Sequence, residues 1–179
     1  LWLWREFYGL TKNYFEIFNF PMQFNIDLNR LQKSYRIIQS EIHPDKFVSA
    51  SQIEKNQSLI KSTEVNDAYQ TLKNPIKRAR YLIKKNLNSE ENNSTLPPSF
   101  LMQQMEWEEH LESILEKKNE LEKFRLLIDG EYQKNLSNLE SVCDKDKNWD
   151  GALGILNEIQ FIEKLNYKII QQINLIETK

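Results

Sequence analysis

The sequence is poor in the residues that build metal centres, cross-links and tight turns. Cys143 is its single cysteine, which excludes an intramolecular disulfide framework and a multi-cysteine zinc site. His43 and His110 are its only imidazoles, so a histidine-rich metal site is excluded as well. No apolar run reaches the roughly 18 residues of a membrane span. Four glycines and five prolines leave few obligatory turns, and nothing alternates as a half-buried strand does. These absences leave a soluble, all-α protein without covalent staples, of a length that suits one ordinary domain or two small ones.

Charge of one sign is also lacking overall. A net charge of −2 argues against a generally basic nucleic-acid binder. The balance hides an asymmetry, however. Residues 13–86 carry 12 basic and 7 acidic side chains, whereas residues 99–179 carry 10 basic and 16 acidic ones. Two halves of opposite sign suggest surfaces that meet different partners.

Along the chain, Leu1-Trp2-Leu3-Trp4 is interrupted by Arg5 and Glu6 too early for the apolar core of a secretory signal. Residues 1–12 are read as an extension, a fragment end or a cloning scar, without a function. A short helix is expected from Asn13 to Phe18. A second follows Asp27 as N-cap and must end by Ile42, because Pro44 disfavours helical geometry at His43. Its apolar stripe is Leu28, Leu31, Tyr35, Ile38 and Ile42, with Arg30, Lys33 and Arg36 opposite. A third helix is expected over Ser51–Leu72, with Ile53, Ile60, Val65, Ala68, Tyr69 and Leu72 as core candidates. Asn74-Pro75 ends it and opens a fourth. Residues 86–95 are polar and aperiodic, and Pro97-Pro98 closes them, which marks a domain boundary. Three more helices fit at about 99–117, 119–143 and 149–177, with Asp144–Lys147 as the last turn.

The residues with a chemical story are His43-Pro44-Asp45. Pro44 breaks the helix and exposes the loop, and Asp45 offers an anion on a rigid turn where a partner arginine can pair with it. Arg30, Lys33 and Arg36 form a positive face that would steer an acidic partner surface. A catalytic His/Asp pair is disfavoured, because no second imidazole or nucleophile lies near in sequence. A tripeptide alone is weak, but here Val65-Asn66-Asp67-Ala68-Tyr69-Gln70-Thr71-Leu72-Lys73-Asn74-Pro75 continues into Arg78-Ala79-Arg80-Tyr81-Leu82. Together these resemble a J-domain, the module by which J-proteins engage DnaK-type chaperones. The resemblance implies that His43, Pro44, Asp45 and Lys46, with Arg30, Lys33 and Arg36, bind the chaperone and stimulate its ATPase. Ser40-Glu41 precede the motif where relatives are often more basic. The Gly-rich segment and paired Cys-x-x-Cys of general client-carrying J-proteins are missing.

In the second half, Phe100, Trp107, Leu111 and Ile114 share one helical stripe, leaving Leu101, Met102 and Met105 as an apolar surplus beside Glu106 and Glu109. Either these form a partner site, or they pack beneath the linker or against the first domain. Periodicity does not choose between them. On the last helix, Phe161 lies off the stripe of Ile155, Ile159, Ile162, Ile169 and Ile173. Cys143 reads as a lone structural thiol, His110 as a helix-flank residue, and Glu108/Glu109 as a solvated face.

A J-domain followed by Phe100-Leu101-Met102-Gln103-Gln104-Met105-Glu106-Trp107-Glu108-Glu109 and an acidic three-helix domain resembles the HscB-type co-chaperones of iron–sulfur cluster assembly. The resemblance implies an L-shaped protein with a J-domain at 13–86, a linker at 87–98 and a scaffold-binding domain at 99–179. It implies that Leu101, Met102, Met105, Glu106, Glu109 and Phe161 bind an IscU-type scaffold, with Ser113 standing at a family position that is acidic elsewhere. Such a protein would deliver the scaffold to an HscA/DnaK-type chaperone and would itself be no enzyme and hold no cofactor or metal. Eukaryotic relatives often carry an N-terminal zinc site, and this chain lacks one. A bacterial cytoplasmic setting is therefore expected, with the mitochondrial matrix as the alternative. Two other readings are a J-protein for a different client and a nucleic-acid-binding bundle that uses the basic half.

Overall fold

The computed structural model describes residues 13–47, 50–87 and 96–178. The aromatic-rich start and most of the polar stretch read as a linker lie outside the described residues. Seven α-helices are present among those described: α1 (Tyr14–Ile17), α2 (Leu28–Ile42), α3 (Gln52–Lys73), α4 (Pro75–Asn86), α5 (Pro98–Ser113), α6 (Lys118–Ser141) and α7 (Trp149–Glu177). They divide into two compact units between Tyr81 and Leu82, within α4.

The caps explain why the helices of the first unit start where they do. Asp27 Oδ1 accepts the amides of Asn29 and Arg30 at 2.9 and 3.0 Å, holding the otherwise unpaired donors that open α2. Ser51 and Glu54 form a reciprocal capping box at the start of α3. The Asn74 side chain accepts the Lys77 amide at 3.0 Å, so one residue closes α3 and caps α4. At the other end of α2, His43 leaves the helix at φ −58, ψ 130, the extended geometry that a following proline imposes.

α2 and α3 form an antiparallel hairpin, and α1 packs on α3. The buried side chains concentrate at the base of the hairpin. They include Leu31 of α2, Val65, Ala68, Tyr69 and Leu72 of α3, and Phe15, Ile17, Phe18, Phe20, Phe24 and Ile26 from α1 and the segment after it. The other end is thinly packed. Ile53 and Ile60, expected in the core, are exposed, and Ile38 and Ile42 are only half-buried, as is Tyr35 midway along α2; Leu28, at the base end, is exposed as well. The physical reason is direction: Ile53 and Ile60 lie more than about 100° around α3 from the face that buries Val65, Ala68, Tyr69 and Leu72, and on that face Ser58, near the tip, is buried. Polar ties take over there. Ser58 is buried and its Oγ donates to the Ile42 carbonyl at 2.6 Å, and Gln39 and Ser62 exchange bonds of 3.3 and 3.2 Å.

The second unit is a helical bundle in which α7 carries the largest buried face: Ala152, Leu156, Ile159, Ile162, Leu165, Ile169 and Ile173. Trp107 and Leu111 of α5, with Leu121, Phe124 and Ile128 of α6, pack into the same core. α5 ends at Ser113, four residues before the expected stop, because Ile114 leaves helical geometry and buries its side chain. A π-helical turn over Val142–Asp146 follows α6 and ends at Lys147 in left-handed geometry, φ 52. Ion pairs join the helices at the rim: Lys168 to Glu108 at 2.6 Å and Lys118 to Glu177 at 2.7 Å. Among the described residues no helix is long and apolar enough to cross a membrane, and no group of three or more His, Cys, Asp or Glu could hold a metal ion.

Candidate functional site

The turn after α2 is a single 3-10 turn, Pro44–Phe47, closed by the Lys46 amide donating to the His43 carbonyl at 3.0 Å. Within it the Asp45 amide donates to His43 Nδ1 at 3.3 Å. That bond makes Nδ1 the acceptor and assigns the proton of the neutral ring to Nε2. The Asp45 carboxylate stands 3.5 Å from the same nitrogen and is 88% exposed; the His43 side chain is 53% exposed. The turn therefore presents an imidazole edge and a carboxylate to solvent, held by a backbone-closed turn that packs along α3. Lys46 is exposed beside them.

The residues of the basic face behind the turn, Arg30, Lys33 and Arg36, are all exposed. Arg30 also reaches back to its own unit: Nη2 donates to the Asn19 carbonyl at 3.0 Å, and the guanidinium lies 4.8 Å from the Phe20 ring centroid. Asn19 sits in left-handed geometry at φ 56, a conformation asparagine tolerates, just past the end of α1. Arg30 thus spends part of its donor set on positioning the segment after α1. Between α2 and α3, Tyr35, Arg36, Gln39, His43, Ser62, Thr63 and Asn66 line an open groove of about 540 Å³. Its floor is fixed by the stack of Tyr35 on Tyr69, 4.0 Å between centroids.

In the second unit, Leu101, Met102 and Met105 are 45%, 65% and 65% exposed. They occupy positions i, i+1 and i+4 of α5, on one side of the helix, with exposed Glu106 and Glu109 next to them. Their fate differs sharply from that of Trp107 and Leu111, which are buried on the other side.

Phe161 does not share that exposure. It is half-buried, parallel to Trp107 at 6.4 Å and edge-on to Phe100 at 6.0 Å. The apolar face of α7 is wider than a stripe of isoleucines suggests: Leu165 is buried too, and Phe161 forms its edge. Phe161 therefore belongs to the wall of the core as much as to its surface. The carboxylates Glu108 and Glu109 also separate. Glu108 is bound by Lys168 on α7, and only Glu109 fits the expected solvated face. Ser113 turns its hydroxyl back to the His110 carbonyl at 2.7 Å. His110 sets its ring at 80° to Phe124, centroids 4.8 Å apart. Cys143 is fully buried, and that burial, reinforced by Asp144, pushes its thiol up to about 11.

One residue with a structural role escaped the sequence reading. Arg78 is buried, donates from Nη1 to the Leu72 carbonyl and lies 4.9 Å from the Phe24 ring centroid, locking α4 to the end of α3. Its place inside an alternation of small and basic residues gave no periodic signal.

Comparison with known proteins covers both units. The family model described as the DnaJ domain matches residues 13–81, and that described as the HSCB C-terminal oligomerisation domain matches residues 96–170. A co-chaperone protein HscB homologue of Burkholderia thailandensis is 37% identical over 175 residues, spanning 94% of this chain and 98% of that protein. One of Photobacterium profundum is 38% identical over 162 residues, spanning 88% and 94%. The solved structure of the chaperone HscB from Vibrio cholerae superposes with a TM-score of 0.79 at 31% identity, over 92% of this chain and 99% of that one. With an exposed His-Pro-Asp turn on the first unit, two family models matched in order and relatives alike over nearly their whole length, the chain belongs to the HscB family of J-domain co-chaperones.

Proposed function

We propose that this co-chaperone, which is not itself an enzyme, couples two partners. Through the J-domain, assigned to 13–86, it binds an HscA/DnaK-type chaperone and stimulates ATP hydrolysis there. His43, Pro44, Asp45 and Lys46 make the contact, Lys33 and Arg36 steer it, and Arg30 contributes what its internal bonds leave. Through the domain assigned to 99–179, beyond a linker at 87–98, it holds an IscU-type iron–sulfur scaffold on Leu101, Met102, Met105, Glu106 and Glu109, with Phe161 at the edge. Presenting scaffold and trigger together promotes transfer of the cluster, which is cargo of the scaffold. The similarity to bacterial HscB homologues supports a bacterial cytoplasmic setting.

The observation that carries this reading is the exposed turn itself. An imidazole and a carboxylate displayed on a thinly packed tip contribute little to folding, yet the Asp45 carboxylate suits charge-assisted hydrogen bonds from a partner arginine and the His43 ring can donate to a partner acceptor. The test is steady-state ATPase of an HscA-type chaperone with the scaffold present. His43→Gln and Asp45→Asn are each expected to abolish stimulation while leaving circular dichroism and scaffold binding unchanged. Full stimulation by either variant refutes the assignment.

A further inference from the structure

Ile37 breaks the pattern of the face it occupies. On α2 it follows Arg36 and stands one turn beyond Lys33, within about 40° of it around the helix. Its side chain is 60% exposed, whereas Ile38 and Ile42 turn towards the hairpin and are half-buried. One turn further, the Ser40 hydroxyl donates to the Ile37 carbonyl at 2.8 Å, which folds that polar group back onto the helix. A hydrocarbon surface is thereby left open between Lys33 and Arg36 on one side and the exposed Glu41, one turn further, on the other.

A lone exposed aliphatic side chain is ordinary on any protein surface. This one is notable for its place. Lys33 and Arg36 attract at a distance, act through screened charge and accept any acidic surface of roughly the right shape. They govern approach rather than fit. An apolar group beside them contributes only when water leaves it, and that requires a complementary apolar depression on the partner. Such a group separates a matched chaperone from other acidic surfaces, because an unmatched surface must bury polar groups against it.

We infer that Ile37 is the specificity anchor of the J-domain's basic face, seated in an apolar depression of the HscA-type chaperone whose carboxylates face Lys33 and Arg36. The inference rests on the chaperone-binding reading above and adds to it the residue that selects the partner.

The experiment is a binding titration of the full chain against the HscA-type chaperone of the same organism, repeated at several salt concentrations, with Asp45→Asn assayed for ATPase stimulation alongside. Ile37→Ala is expected to bind about tenfold more weakly at every salt concentration, the scale on which an aliphatic side chain of this size loses its remaining water-exposed area. The slope of affinity against salt is expected to stay that of the wild type, since no charge is removed. Ile37→Val is expected to restore most of the affinity, and Ile37→Arg to steepen the slope. If Ile37→Ala binds as the wild type while Asp45→Asn abolishes stimulation, the anchor is refuted and the chaperone reading stands. If Asp45→Asn stimulates fully, the chaperone reading fails and the anchor with it.

Discussion

The division of labour on the second unit is best tested by setting the exposed methionines against the half-buried phenylalanine. Met102 and Met105 each keep 65% of their surface open, so truncating both to alanine leaves no cavity. Alanine is also the better helix former, and the expected change in folding stability is within about 0.5 kcal/mol. If the two side chains anchor a scaffold, their joint loss costs about 2 kcal/mol or more of binding, at least a roughly thirtyfold rise in Kd. Phe161→Ala has the opposite emphasis. A fully buried phenylalanine costs about 3–5 kcal/mol on truncation, and a half-buried one with ring contacts to Trp107 and Phe100 costs about 2–3 kcal/mol. That corresponds to a fall in Tm on the order of 10 °C for a unit of this size. Urea denaturation followed by circular dichroism reads the first quantity, and calorimetric titration with the scaffold reads the second. The reasoning is refuted if the methionine pair lowers the urea midpoint as far as Phe161→Ala does, or if it binds scaffold with wild-type affinity.

Two further outcomes follow from charge and burial. Reversing Lys33 and Arg36 to glutamate is expected to weaken chaperone stimulation and flatten its dependence on salt, because exposed charges act over about 8–10 Å at physiological ionic strength. Scaffold binding measured on the same variant should hardly move, and equal losses for both partners would show that the two halves do not act separately. Cys143, with its thiol pushed up to about 11 from an ordinary value near 9, is favoured as the neutral form in the folded protein. Its contribution to stability is complete below about pH 9 and is lost as pH rises through 11. A thiol reagent at pH 8 should therefore leave the native protein unlabelled and modify it at the rate of unfolding, and rapid labelling of folded protein would contradict the burial.

Much of the fold was legible because helix ends are local chemistry. Asp27 as an N-cap, Ser51 as a helix start and Asn74-Pro75 as a break are marked in the sequence, and the structure uses each as a cap or helix start. Periodicity was less reliable over a long helix, where residues loosely near a stripe can lie well off the face that is buried. Ile53 and Ile60 are exposed because they sit more than about 100° around α3 from the face of Ser58, Val65, Ala68, Tyr69 and Leu72. The reverse error occurred between helices. Phe20, Phe24 and Ile26 are core residues with no period at all, because an irregular segment wraps the base of the hairpin. At the candidate sites, the exposed turn and the apolar surplus of α5 could be read from Pro44 and from residues left over after a core stripe. The return of Arg30 to Asn19 and the stack of Phe161 on Trp107 are tertiary facts. They depend on what a neighbouring element offers, and no single helix encodes that.

The polar zipper at the tip of the hairpin has a thermodynamic consequence. Opening a structural element changes heat capacity and responds to denaturant in proportion to the surface it exposes, chiefly the apolar part. At the tip that part is small: the ties are Ser58 to Ile42 and Gln39 with Ser62, flanked by isoleucines already half or mostly in water. Fraying there is a low-order excursion, nearly indifferent to mild denaturant, while the aromatic base of the same hairpin melts cooperatively. The protein thus carries its trigger on a segment whose local opening exposes little apolar surface, and conditions that erode the core by solvating such surface leave the readiness of the turn almost untouched.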